Sequence, residues 1–600
     1  MNFINLQSFL DELSRRGDLA VIETPVSPHL EVAEIHRRAI AGGGPALLFT
    51  RVEGSDFPLV TNLFGTADRA AMAFGSRPGQ LVRKLVELVQ TAMPPDVGDL
   101  WRARDLVAAA FRIGTRKVRT GPVAEVLQEP PNLDRLPVLT SWAEDGGPFV
   151  TLPLVYTEHP ENGGSNLGMY RLQIHDRTTT GMHWQIGKGG GFHYRIAEAA
   201  GRSLPVTVFL GGPPALILAA VAPLPENVPE LVLASLISGA RLRRCAGPGV
   251  HALVAEAEFA LVGHVAARER LPEGPFGDHY GYYSLRHDYP VFRVDCIAHR
   301  RQAVFPATVV GKPRQEDFYI GDQLQELLSP LFPVVMPAVK DLWSYGETGY
   351  HALAAAIVRE RYGREAMASA FRILGEGQLS LTKFLLVTDR GVDLRDFRAT
   401  LECVLERTRP ETDLFVFSNL SMDTLDYTGP EVNRGSKGVW LGVGEKVRDL
   451  PREFSSPDVP PGLNGAEVFC GGCLVIGGPT WTKDVDFPKR VADHTAFREW
   501  PLIVVVDDVS KTTVNAASFL WTTFTRFEPA ADLHARFRVY RHHLCYEAPV
   551  VLDARMKSSY PDELFCDPET SRKVDRRWKE YFPYGGVEMG DSDRANLDRW

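Results

Sequence analysis

The sequence is poor in cysteine, with seven in 600 residues, an odd number. That argues against a disulfide scaffold and fits a reducing, cytoplasmic setting. It also lacks any apolar run near the roughly 20 residues that a membrane-spanning helix needs. Its start, MNFINLQSFLDELSRRGDL, reads as an amphipathic helix interrupted by charges, without the basic-then-apolar order of a signal peptide. Charge of one sign is not in large excess: the formal net charge is -9. A mildly acidic chain gets no general help in approaching nucleic acid, whereas a small anionic substrate depends on local charge. HExxH, GxSxG and the Rossmann GxGxxG are all missing. Cys470-Gly471-Gly472-Cys473 is a lone CxxC with no second pair at zinc spacing, so it reads as packing. No internal repeat stands out.

What remains is an ordinary globular composition, 44% apolar and 24% charged. The length suggests about two to four domains. Residues 1–125 mix helical patterns with short strands such as Ala46 to Thr50, an α/β region. Residues 126–322 are dominated by short β-type runs between turn signals, which predicts a barrel-like β domain. From 323 to 600 helices return. Residues 382–417 run strand, turn, helix, strand, so this part reads as an α/β layer with a helical arm at Lys573 to Tyr581.

Five segments carry chemistry. In Ser165-Asn166-Leu167-Gly168-Met169-Tyr170-Arg171, Asn166 offers a neutral amide oxygen to a hard metal and Arg171 a fixed fork to a carboxylate. Their odd separation predicts opposite strand faces, unless a bulge at Gly168 re-aims one. Gly187-Lys188-Gly189-Gly190-Gly191-Phe192-His193 is a glycine-rich loop that lets backbone amides approach an anion, with His193 at a helix entry. Pro229-Glu230 opens a helix, where a carboxylate suits the positive end or a metal. Glu273-Gly274-Pro275-Phe276-Gly277-Asp278 places two acids around a segment that cannot stay a regular strand, so both can reach one site. Paired carboxylates near an arginine suit proton transfer to carbon. In Asn433-Arg434-Gly435-Ser436-Lys437-Gly438, Lys437 is a point charge for a phosphate or flavin edge.

Taken in this order, the motifs NLGMYR (166–171), HYR (193–195), GGPPA (211–215), PLPENVPE (223–230), EGPFGDHYGYY (273–283), TVVGKP (308–313) and NRGSKG (433–438) resemble the UbiD family of prenyl-flavin decarboxylases. The resemblance implies an α/β chain with a central split β-barrel that binds prenylated FMN, flanked by an N-terminal α/β region and by a C-terminal α/β domain that supports homo-oligomers. It implies that Asn166, His193 and Glu230 hold a manganese-type (or magnesium) ion on the cofactor phosphate. Potassium would sit beside it, on carbonyls near Ala219 to Ala222 and on Glu230. Arg171, Glu273 and Asp278 match the catalytic acid–arginine–acid set. Gly168, Met169, Phe192, Pro223 and Lys437 fall in the cofactor-contacting motifs. A flavin prenyltransferase would supply the cofactor, and the reaction would remove or add CO2 on an aromatic or α,β-unsaturated acid. Some members carry Glu where this chain has Asp278, so the acid reaches less far. The chain is also longer than typical members. An FMN oxidoreductase of split-barrel type, or a flavin or metal carrier, is the alternative, although the paired acids have no obvious task there.

Overall fold

The computed structural model describes residues 3–91, 104, 112–184, 189–224, 228–312 and 314–591. Gly187 and Lys188 of the glycine-rich loop, residues 225–227 and Pro313 lie outside the described residues. The chain is mixed α/β and divides into two compact units, one running to residue 327 and resuming at 563, the other spanning 328–562.

The first unit opens with the expected amphipathic helix, Leu6–Arg15. Asn5 caps it by accepting from the Ser8 N–H, and Leu6, Phe9, Leu10 and Leu13 are its buried face. The centre of the unit is a seven-stranded sheet. Its strands are β1 (Val126–Gln128), β2 (Leu154–Glu158), β3 (Ser165–Met169), β4 (Thr179–Gly181), β5 (Leu204–Leu210), β6 (Phe259–Glu273) and β7 (His287–His299). The order is β4-β7-β6-β5-β2-β3, with β1 on β7. This is an open path of antiparallel pairs, and no closed barrel forms among the described residues. Alternation puts Val155, Val208, Leu210, Leu261 and Phe292 into one apolar core. Three helices lie beside the sheet in sequence: α1 (Gly189–Ala199), α2 (Ala215–Val221) and α3 (Glu230–Ser238). The arm helix Pro568–Tyr581 belongs to this unit and is fixed by ions. Glu31 accepts from Lys573 Nζ at 2.8 Å and from the Tyr581 hydroxyl at 2.6 Å, and it also pairs with Arg577.

The second unit holds two five-stranded sheets. The first contains β8 (Val339–Ser344), β9 (Leu353–Val358), α4 (Glu365–Leu374), β10 (Phe384–Thr388), α5 (Phe397–Leu405), α6 (Pro410–Asp413), β11 (Leu414–Ser421) and β12 (Arg434–Gly442), with strand order β8-β9-β10-β12-β11. The second contains β13 (Gly465–Cys470), β14 (Cys473–Gly477), α7 (Phe487–Asp493), β15 (Leu502–Val506), α8 (Val509–Thr513), α9 (Ala516–Thr525), α10 (Pro529–Asp532), β16 (Leu533–Tyr540) and β17 (His543–Asp553), with order β13-β14-β15-β17-β16. The central strands β10 and β15 are buried along their whole length, as strands covered on both faces must be. The two sheets thus share one strand order, although the sequence shows no repeat. Cys470 and Cys473 face each other across the β13–β14 turn as free, buried thiols.

Candidate active site

β6 ends at Glu273, and the chain turns through Gly274, whose φ of +96° suits glycine alone. Every step of this loop is anchored. The Gly274 N–H donates to Gln173 Oε1 at 2.8 Å, and the Gly277 N–H donates to Asp145 Oδ1 at 2.7 Å. The other Asp145 oxygen accepts from the N–H groups of Ser141 and Trp142, both at 2.9 Å. Burial pushes Asp145 up to about 6 despite these donors. A Cβ on Gly277 would fall 2.1 Å from Cδ1 of Trp142, so the ring excludes any other residue there. The arm returns to the same loop: the Leu564 N–H donates to the Gly281 carbonyl at 3.0 Å, and Leu564, Cys566, Trp142 and Tyr283 form one buried cluster.

This loop and the chain beyond β3 bring Arg171, Glu273 and Asp278 together. Arg171 donates Nε to Glu273 Oε1 at 3.0 Å, one terminal nitrogen to Asp278, and the other to the Ser284 hydroxyl at 3.2 Å. Its guanidinium lies 4.5 Å from the Phe276 ring centre. Burial opposes the Arg171 charge, but the two carboxylates outweigh it and raise its pKa. Burial likewise penalises each carboxylate and is overcome. His183 and Arg171 hold Glu273 below the ordinary range, while His279 and Arg171 do the same for Asp278. Glu273 Oε2 is buried without a hydrogen bond among the described residues. It faces Gly181, where a Cβ would sit 2.9 Å away.

The bulge expected at Gly168 is not there. β3 pairs with β2 in unbroken register from Ser165 to Met169. The chain then leaves this sheet, and Leu172–Gln173 pairs with Phe149–Val150 in a separate two-stranded sheet. Arg171 is re-aimed by this change of sheet, because its backbone between the two ladders follows neither pleat.

Asn166, His193 and Glu230 also share one neighbourhood. Glu230 Oε1 accepts from the Asn166 amide at 2.9 Å, and Oε2 accepts from the Leu167 N–H at 2.8 Å. Thr157 faces Asn166 across β2–β3, and its hydroxyl is 2.8 Å from His193 Nδ1. That bond engages Nδ1, so Nε2 is the ring nitrogen that an ion would use. Burial lowers His193 to about 4, with help from His159, so the ring is neutral and able to ligate. Burial raises the Glu230 pKa. A Cβ on Gly189 would lie 2.6 Å from the Asn166 amide nitrogen, so glycine opens the cradle. Among the described residues no trio of His, Cys, Asp or Glu forms a metal cage. The set here contains two such residues and an amide. An oxygen-rich group with one imidazole fits a manganese- or magnesium-type ion.

Three family models match this chain: the N-terminal domain of 3-octaprenyl-4-hydroxybenzoate carboxy-lyase over residues 10–89, its Rift-related domain over 116–313, and its C-terminal domain over 318–442. The chain belongs to the UbiD family of carboxy-lyases. An uncharacterized protein of Chlamydia trachomatis serovar D is 51% identical over 585 residues, covering 96% of this chain and 100% of its own. A Chlamydia pneumoniae protein named as part of a 4-hydroxybenzoate decarboxylase is 51% identical over 561 residues, covering 93% of this chain and 95% of its own. Among solved structures, the vanillic acid decarboxylase of Sedimentibacter hydroxybenzoicus superposes with a TM-score of 0.66 at 24% identity, over 77% of this chain and 96% of that one. The UbiD-class enzyme HmfF of Pelotomaculum thermopropionicum, solved with FMN, gives 0.61 at 24% identity, over 76% of this chain and 97% of that one.

The other residues expected from the resemblance fall on several elements. Gly168 and Met169 are on β3, Phe192 is exposed on α1, and Pro223 is exposed after α2. The carbonyls of Ala219 and Ala222 each accept a backbone N–H. Lys437 is in the second unit, on β12, and its Nζ donates to the Thr382 carbonyl at 2.9 Å. Burial lowers it to about 8, against Asp426 and Asp423. Sequence reasoning missed His183, Thr157, Asp145 and Ser284. Isolated polar residues carry no spacing signal, and only the fold shows what they hold.

Proposed function

We propose that this protein catalyses the reversible, non-oxidative decarboxylation of an aromatic or α,β-unsaturated acid of the hydroxybenzoate type. In this reading it uses prenylated FMN in a split-barrel site, with a manganese or magnesium ion on Asn166, His193 and Glu230 and potassium near Ala219 to Ala222. The observation that carries the reading is a buried arginine shared by two carboxylates, in the same unit as a metal-competent Asn–His–Glu set. When bound, the prenylated flavin supplies the electron sink that amino-acid side chains lack.

The residues divide the remaining work. Glu273 holds Arg171 from the Nε side and is itself held by His183, so this edge of the fork is fixed. Asp278 occupies one end of the fork and Ser284 the other, and this is the end a substrate carboxylate would take. A substrate anion that displaces Asp278 from Arg171 removes its positive partner and adds a like charge. Both changes raise the Asp278 pKa and load it with a proton. His279, whose side chain is 28% exposed and bonded to Asp278, links that carboxyl to solvent. Asp278 then returns the proton to the carbon that has lost CO2. Asp278→Asn and Glu273→Gln test this. Each loses turnover at full flavin content, and retained turnover in both removes the acid–base role.

A further inference from the structure

The two sheets of the second unit repeat each other in more than strand order. Each runs through an antiparallel pair, a helix, a parallel strand, further helices, and a final hairpin. Two independent ladders fix the equivalence. Phe384 and Leu502 open β10 and β15 and pair with Gly438 and Val550, which matches Trp440 to Leu552. The hairpins agree, since Leu414 pairs with Trp440 and Leu533 with Leu552. Both hairpins carry a register shift soon after they start. Each is entered through the same turn, Pro410-Glu411-Thr412-Asp413-Leu414 in one and Pro529-Ala530-Ala531-Asp532-Leu533 in the other. Asp413 caps its turn from the Arg409 N–H at 2.7 Å, and Asp532 caps its own from the Glu528 N–H at 2.8 Å.

The contacts between the sheets are reciprocal. α6 of the first packs on β17 of the second, and α10 of the second packs on β11 and β12 of the first. α5 packs on β13, and α9 packs on the turn Gly346–Thr348 that follows β8. Such exchange of like surfaces is the mark of an isologous, two-fold interface. The copies differ in chemistry. Register makes Pro501 the equivalent of Lys383, Pro549 of Lys437 and Ala548 of Ser436. The second copy therefore has neither buried lysine.

We infer that residues 465–553 are a second copy of the module 339–442, kept as a built-in partner that covers the first copy and clamps the strand bearing Lys437. The clamp is α10. Glu528 accepts from the Ser436 hydroxyl, which accepts in turn from the Ala530 N–H at 2.8 Å. Ser436 precedes Lys437 on β12, so the second copy fixes the strand at that lysine. This accounts for the extra length of the chain. The duplication stands on geometry alone, and only its bearing on the flavin rests on the proposed function.

Hydrogen exchange and acetic anhydride labelling of the full-length chain test the clamp without turnover. Glu528→Gln and Ser436→Ala each break it from one side. Exchange over residues 434–438 and acylation of Lys437 are expected to rise about tenfold in each, as for loss of one buried hydrogen bond. Strand β9 stays as protected as in the unaltered chain. Unchanged exchange and labelling at Lys437 in the folded variants overturns the proposal, and so does a rise spread equally over β9. Should Glu528→Gln fail to fold, Ser436→Ala decides alone. A chain that binds no flavin but loosens at Lys437 would sink the flavin reading and keep the clamp.

Discussion

Nδ1 of His183 lies 2.8 Å from Oε1 of Glu273, the oxygen that also accepts from Arg171. One carboxylate oxygen is thus fixed from two sides, while the other has no hydrogen bond among the described residues. The His183 ring is buried, lies 4.4 Å from that of Tyr289, and its backbone N–H donates to the Arg171 carbonyl at 3.3 Å. His183 is accordingly a positioning residue. His183→Phe keeps an aromatic ring but removes the nitrogen, and is expected to lower kcat/KM by about 10- to 100-fold, as for one lost charge-assisted hydrogen bond. His183→Gln restores part of it. Steady-state kinetics at matched flavin content check both.

The acid limb of stability follows from the same cluster. The folded pKa values of Glu273 and Asp278 are depressed, burial being outweighed by His183 with Arg171 and by His279 with Arg171. Their contribution is complete above the unfolded values near 4 and is lost as pH falls through the folded ones. The melting temperature is expected to drop on acidification below about pH 4, and Asp278→Asn to flatten that drop. Thermal melts of both proteins from neutral pH into acid measure it.

Thr157 touches no proposed substrate or cofactor group, yet it holds the proposed ligand His193 in place. Thr157→Val removes the hydroxyl at nearly constant volume. Manganese affinity is expected to fall about 10- to 100-fold, the usual cost of losing the partner of a ligating histidine. Titration of the flavin-free protein, followed by the electron spin resonance of free manganese, reads it directly.

Leu564 is fully buried against the loop that carries Asp278, from the arm side. Leu564→Ala leaves a cavity worth about 2–5 kcal/mol at that contact. Faster hydrogen exchange is expected over residues 276–284, with the β5 strand Leu204–Leu210 unaffected.

Much of this was legible in the sequence, for physical reasons. A Gly-Pro-Phe-Gly segment between two acids has few conformations open to it, so the convergence of Glu273 and Asp278 was foreseeable. Leu502–Val506, an apolar run with four β-branched residues, is the strand it promised to be. What escaped was set by long-range pairing. The turn of the chain at Tyr170 depends on which strand Leu172 joins, which no local pattern states. His183 is one histidine among sixteen until the fold sets it against Glu273. The duplication was hidden because a sheet interior accepts almost any apolar side chain at a given register. Phe384 and Leu502, or Trp440 and Leu552, fill equivalent sites without looking alike.

The most direct test is exchange of labelled bicarbonate into a panel of hydroxybenzoates and related acids. It uses chain produced together with a flavin prenyltransferase, with prenylated flavin quantified by absorbance. The unaltered protein should place label in the carboxyl group of at least one acid, and Asp278→Asn with equal flavin should lose that exchange. Equal exchange in both proteins, or none from the unaltered protein carrying its full flavin, would contradict the account.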